Sequence, residues 1–260
     1  IIRGLVGSEM CIRDSLKKLD EKDPLIKLTQ IIDWEMFRST LEKVREKERK
    51  SKAGRKPYDV VLMFKVLILQ HLYNISDDET EYQIRDRLSF SRFLGLKPEQ
   101  PVPDAKTIWL FREQLVKLDL IQELFMDFDV HLTQAGFMAK KGQIIDASFV
   151  EVPKQRNNKA ENDQIKAGII PDRFADNDAV KSQKDCDARW TKKNNQSYYG
   201  YKNPISIDNK HKLIRSFEVT SAEVHDSQKF IDVLSENTSQ DAYVDSAYGG
   251  EEYELTLKAS

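Results

Sequence analysis

Two aspartates carry the chemistry that is hardest to read as routine in this sequence. Asp146 stands inside "IIDASF", where its neighbours are apolar or small, and Asp245 follows "AYV" directly and precedes "SAYGG". The first run reads as a buried strand, and a buried carboxylate costs free energy unless something pairs with it. If the strands around Asp146 and Asp245 are neighbours, their carboxylates converge. Hard oxygen ligands without a Cys or His cluster select Mg2+ or Mn2+. Two such ions about 4 Å apart can activate a water or a 3′-hydroxyl and stabilise the leaving oxygen of a phosphodiester displacement. Each aspartate alone is equally an ordinary strand-end or turn residue, so spacing leaves the metal reading open.

Other polar residues admit two readings each. Asp226 in "VHDSQ" either caps the following helix or orients a metal site, and His225 is either a lone histidine or an accessory group near a nucleic acid. Lys202 in "YGYKN" and Arg156 in "KQRN" are surface charge or phosphate contacts. From Arg38 to Lys56 there are nine Lys/Arg against three Glu, ending in Arg55 and Lys56. That run is a solvated helix end and linker, or a basic arm lying against a phosphate backbone. Tyr198, Tyr199 and Tyr201 fit sheet packing, with base stacking as the alternative. Trp190 in "DARWTKK" fits a local anchor better than a base wedge.

The elements that must position these residues change character near Lys140. Residues 16–50 read as one amphipathic helix, with Leu25, Leu28, Ile32, Phe37 and Leu41 near a 3.6-residue period and Trp34 and Phe37 as anchors. Asp59 is placed to cap an apolar helix, Val60 to Tyr73. Ser76 and Glu79 have capping-box spacing, Asp104 opens a further helix, and a helix over Ile121 to Ala135 ends at Gly136. "SFSRFLGL" is a short helical turn or a loop. Stacked short helices of this kind suit a helix-turn-helix module or a plain bundle.

Beyond Lys140, "GQIIDASFVEV" alternates as a strand over Gln143 to Val152. Residues 154–196 are polar and aperiodic, and read as a long insertion or partly ordered loop. "YYGYKNPISID" and "HKLIRSFEVTS" form two strands joined at "NK". "HDSQKFIDVLSEN" is a helix, "AYV" a strand, and "EEYELTLKAS" the start of another helix. The fold class expected is therefore α+β: an all-helical N-terminal domain, 16–136, then a partial RNase H-like mixed α/β domain, 137–260, with a polar insert after its first strand.

Composition narrows the class of protein. The 260 residues carry a net charge of −2, which excludes a uniformly basic nucleic-acid binder but leaves local basic patches. Val60 to Tyr73 is too short for a bilayer span and contains Lys65. No secretory signal is visible, and Cys11 and Cys186 make no disulfide framework, so a cytoplasmic location is expected. The four histidines lack zinc spacing. Leu5 to Ser15, "LVGSEMCIRDS", back-translates in one frame to a stretch containing AGATGTGTATAAGAGACAG, which resembles a transposon mosaic end used in sequencing adapters. Residues 1–15 are accordingly expected to be adapter-derived, Cys11 with them, and the reading frame to come from a fragment.

The ordered runs "IIDASFVEVPKQRN", "YYGYKN", "HKLIRSFEVTSAEVHDSQ" and "AYVDSAYGG" resemble the insertion-sequence-5 family of bacterial DDE transposases. "GRKPYDVVLMFKVLILQHLYNISDDETEYQIRDRLSFSRFLGL" resembles that family's N-terminal helical domain, so the likeness covers about Leu25 to the end. It implies an RNase H-like catalytic domain that cuts and rejoins DNA at insertion-sequence ends. Asp146 and Asp245 would be catalytic acids holding Mg2+ or Mn2+, and His225 and Asp226 accessory groups. Arg55, Lys56, Arg156 and Lys202 would be DNA contacts, on terminal inverted repeats or target DNA. A homodimer on DNA, with no membrane partner, is the assembly expected. The family's third acid is a Glu on a later helix; Glu251, Glu252 and Glu254 follow Asp245 too closely, so it is expected beyond Ser260. The chain as it stands is then expected to be inactive. The alternatives are a DNA-binding protein without catalysis and an RNase H-like nuclease.

Overall fold

The structure, a computed structural model, describes residues 23–46, 56–97, 99–137, 142–181, 183–193, 195–225, 229–234 and 242–244. The chain divides into two compact units, residues 1–131 and 132–260.

The described part of the first unit is helical. Helix α1 (Pro24–Ile31) is followed by a 3-10 turn (Trp34–Phe37), helix α2 (Arg38–Glu42) and a second 3-10 turn (Lys43–Arg45). The single long helix expected here is thus broken, and the break is local chemistry. Ile32 is extended, and the Asp33 carboxylate accepts a hydrogen bond from the Glu35 N–H at 3.1 Å, which starts a new turn. The apolar face survives the break because Leu25, Trp34, Phe37 and Leu41 all still reach the core.

Helices α3 (Val60–Tyr73), α4 (Asp77–Asp86), α5 (Leu88–Leu94), α6 (Ala105–Lys117) and α7 (Leu120–Gln134) complete the helical series. Asp59 caps α3 through the N–H groups of Val61 and Leu62, and Asp104 caps α6 through that of Thr107. Ser76 caps α4 through Glu79 N–H, but the Glu79 carboxylate takes the Gln83 amide. After α7, Gly136 adopts a left-handed φ of 83°.

Aromatic packing dominates this core. Trp34 meets Phe93 edge-on at 5.5 Å, and Phe37 meets Phe64 at 5.0 Å. The lysine inside apolar α3 is accommodated by the same rings: Lys65 Nζ lies 5.1 Å from the Trp34 ring and 5.5 Å from Phe93. Burial pushes the Lys65 ammonium below the usual lysine range.

Three helices are tied by one half-buried polar knot. The Arg112 guanidinium on α6 donates to both Asp77 oxygens on α4, at 3.0 and 2.7 Å, and to Gln70 Oε1 on α3 at 2.7 Å. The Gln70 amide closes the triangle onto Asp77 at 2.7 Å. Burial pushes the Asp77 carboxyl up, but hydrogen bonds from Arg112 and Gln70 outweigh it and hold the group below its ordinary value. A depressed carboxylate stabilises the fold above its unfolded pKa of about 3.9 and loses that contribution as pH falls through the folded value. Asp77→Asn should therefore cost roughly 1–3 kcal/mol at pH 7. The difference in thermal midpoint from the wild type should shrink as pH falls below the ordinary aspartate range.

The second unit is built on a mixed sheet. Its elements are β1 (Gln143–Glu151), helices α8 (Lys159–Lys166), α9 (Asp172–Ala175) and α10 (Asp178–Lys181), and strands β2 (Arg189–Lys193), β3 (Gln196–Asp208), β4 (Ile214–Phe217) and β5 (Thr220–Ser221). Helix α11 (Phe230–Val233) and strand β6 (Ala242–Val244) follow. β3 runs antiparallel to β1 from Gln143↔Asp208 to Glu151↔Gly200. The other edge of β3 is shared along its length by β2, β5 and β4, all antiparallel. β6 lies on the far side of β1 and is parallel to it.

Two expectations change here. The polar stretch 154–196 is structured among its described residues: three short helices and the edge strand β2. An Asn158–Glu161 capping box, both bonds 2.8 Å, starts α8, and Ile165 and Phe174 are buried. Arg189 on β2 donates to the Ile165 carbonyl at 2.9 Å, fastening α8 to the sheet. Isolated apolar residues between caps leave no periodic trace. The β3–β4 link is also longer than "NK". It spans residues 209–213, with buried Asp208 accepting from the His211 N–H at 2.6 Å. Of the helix expected over "HDSQKFIDVLSEN", the described part is α11, and the helix expected over "EEYELTLKAS" lies outside the described residues.

The glycine of "YYGYK" is demanded by the sheet. Gly200 has φ 147°, and a Cβ there would lie 2.1 Å from the Val150 carbonyl oxygen and 3.1 Å from the Val152 nitrogen. Backbone cannot yield as a flexible side chain would. Gly200→Ala should destabilise the second unit by roughly 2–4 kcal/mol, read in denaturant unfolding.

Candidate active site

Strand alternation decides where Asp146 points. In β1 the side chains of Gln143 and Ile145 are buried, and Asp146 between them and Ser148 is exposed. The buried-carboxylate premise of the sequence reading is corrected: the run "IIDASF" is apolar on one face, and Asp146 belongs to the other. Its Oδ1 accepts from the Ala147 N–H at 2.8 Å. Among the described residues no ion pair engages it, so its second oxygen is open. Across the ladder it pairs with Ile205 on β3, and Ser148 pairs with Asn203. The Asn203 Oδ1 is buried without a hydrogen-bond partner among the described residues.

β6 brings the second aspartate into question directly. The parallel register pairs Ile144 with Tyr243 and Ile145 with Val244, the last residue of the strand. Asp245 itself lies outside the described residues, as do Asp226 and Arg55. Among the described residues no group of three or more His, Cys, Asp or Glu could hold a metal ion.

The remaining named residues divide. Lys56, Arg156 and His225 are exposed. Lys202 is not: it is 8% exposed, its Nζ donates to the Val224 carbonyl at 2.7 Å and lies 5.6 Å from the Phe149 ring. The expected phosphate contact is corrected to a packed lysine, because Lys202 falls on the same sheet face as Ile145 and Phe149. Tyr198 stacks on Phe149 at 4.5 Å, and Tyr199 is buried. The Tyr201 hydroxyl donates to Asp185 at 2.6 Å; burial and that carboxylate push the phenol well above its ordinary range. Trp190 is 53% exposed, packed on Tyr199 at 5.1 Å, with Lys154 Nζ 5.3 Å from its ring. Asn203, Ser148 and Lys154 were not singled out from sequence; strand register puts the first two on the Asp146 face, and Lys154 is placed by its contact with the Trp190 ring.

The described frame is a helical unit followed by a mixed sheet with a solvent-open aspartate, and comparison with known families gives it a function. Residues 13–114 match the family described as a transposase domain (DUF772), and residues 138–260 match the transposase DDE domain. No solved structure matches the chain. The chain is a DNA transposase of the DDE class, an enzyme that acts on DNA. Enzymes of this family generally use divalent metal ions. No single described helix is long and apolar enough to cross a membrane.

Lys202→Met leaves the Val224 carbonyl without its donor. The expected result is a loss of roughly 1–3 kcal/mol in unfolding stability. The slope of log DNA affinity against log salt should stay unchanged, where losing a phosphate contact would lower it by about 0.9.

Proposed function

We propose that the Asp146 face of the sheet is the catalytic face of an RNase H-like domain. There Asp146 and Asp245 together hold Mg2+ or Mn2+ while phosphodiester bonds are cut and rejoined at the ends of an insertion sequence of the insertion-sequence-5 kind. One observation carries this. Ile145 and Val244 are parallel partners, and each aspartate is the next residue of its chain. Adjacent strands lie about 4.8 Å apart, so a register continued by one residue would set Asp245 opposite Asp146.

The donor set fits a hard divalent ion: an exposed carboxylate with one oxygen uncommitted and no competing cation among the described residues. When bound, the ion would polarise a phosphoryl oxygen and lower the pKa of an attacking water or 3′-hydroxyl. The chain's own part is positioning. The β1–β3 ladder holds the Asp146 backbone rigid, and the Ala147 N–H orients its carboxylate. His225 and Asp226, close in sequence, serve as accessory groups. Arg55, Lys56 and Arg156 contact phosphates, and the helical unit binds the transposon ends. Two copies act together on DNA.

Mn2+ uptake, followed by the EPR signal of the free ion, tests the assignment without requiring turnover. The wild-type chain should bind Mn2+, and Asp146→Ala and Asp245→Ala should each weaken binding at least ~10-fold with the thermal midpoint preserved. Unchanged Mn2+ affinity in both variants would remove these aspartates from the metal site.

A further inference from the structure

We propose that Trp190 and the lysines around it form a stacking platform for an unpaired DNA strand on the same sheet face as Asp146. The inference rests on that face being catalytic. It starts from a contrast within the chain: Trp34, an anchor, is 7% exposed, whereas Trp190 is 53% exposed although it sits inside a strand. An aromatic ring needed only to pin the insert to the sheet would be covered.

Register places the ring. Trp190 pairs with Tyr199, and Asp146 pairs with Ile205. Residues 199, 201, 203 and 205 of β3 share one face, so Trp190 and Asp146 look out on the same side. The stacking of Tyr198 on Phe149 shows that alternation persists through Gly200, since both belong to the opposite face. Six residues of β3 separate the two positions along the strand, roughly 20 Å at about 3.4 Å each. A stacked DNA strand advances 3.4 Å per nucleotide, so a strand cut at Asp146 reaches Trp190 in about six nucleotides.

The surroundings are cationic. Lys154 lies over the indole, Lys192 is exposed on the same side of β2, and Arg156 is exposed two residues beyond Lys154. Asp185, which shares an open pocket of about 540 Å³ with Lys154, already accepts from the Tyr201 hydroxyl and from the N–H groups of Asp187 and Ala188. The indole meets Tyr199 at a 40° tilt and the Lys154 ammonium at 5.3 Å. An exposed lysine–aromatic contact is weaker than base stacking, so a base can take the ring while the flexible ammonium swings to a phosphate. Stacking needs an accessible base face, which a paired duplex denies; the occupant is therefore unpaired DNA.

The test is fluorescence anisotropy of a labelled single-stranded oligodeoxynucleotide and of the duplex of the same sequence, read from the DNA because Trp109 is also exposed. Trp190→Leu keeps apolar packing on Tyr199 and removes the stacking face; Trp190→Phe retains one. The expected result is a loss of roughly 5- to 100-fold in single-strand affinity for Trp190→Leu, with most of it recovered in Trp190→Phe and duplex affinity within about twofold of wild type. Lys154→Gln with Lys192→Gln should lower the salt slope for the single strand, which Trp190→Leu should not. Single-strand affinity unaltered in Trp190→Leu, or equal losses for single strand and duplex, would overturn the proposal. Neither outcome bears on Mn2+ uptake at Asp146, which is measured separately.

Discussion

The antiparallel ladder between β1 and β3 is the constraint on which the second unit depends. Nine consecutive residue pairs leave no freedom in which side chain faces which way, because a slip of one residue would invert both faces. The ladder tolerates no side chain at Gly200, where the Val150 carbonyl occupies the place of a Cβ. It sorts neighbours in sequence into opposite fates: Ile145 goes to the core and Asp146 to solvent, Lys202 to a packed bed and Asn203 to the Asp146 face. It also offers β1's free edge to β6, which pairs with it in parallel.

The first unit solves a different problem, that of keeping charges inside a helical core. Lys65 is held over two aromatic rings, and Arg112 is shared by Asp77 and Gln70 so that α3, α4 and α6 are fastened through one guanidinium. A planar fork with five donors can bind two partners at once, which a lysine ammonium at the same place could not do with the same geometry. The aromatic cluster around Trp34 then joins α1, α3 and α5 across the break at Asp33. Both devices place polar atoms by long-range packing, and neither is announced by helical periodicity.

Much of this was legible in the residues alone. Asp59, Ser76 and Asp104 cap their helices because a short side-chain oxygen reaches a free N–H two or three residues on, a strictly local event. "AYV" is a strand, and β1 lies where alternation puts it. The insert 154–196 was not legible, since its helices rest on one capping box and two buried apolar residues rather than on a repeating face. The long helix over 16–50 was overread for the converse reason: a period of 3.6 persisted across a break made by a single aspartate.

For the candidate site the division is similar. Sequence by itself determined that Asp146 lies in a strand and that Asp245 directly follows one, because residue order and local alternation suffice for these; the likeness to transposases rests on the ordered runs around them. Only the tertiary structure decided that Asp146 is exposed, that Lys202 is buried, and that Trp190 shares a face with Asp146. Those facts come from inter-strand register. Register is set by hydrogen bonds between residues far apart in the chain, such as Gln143 and Asp208, and no pattern within either strand encodes its partner.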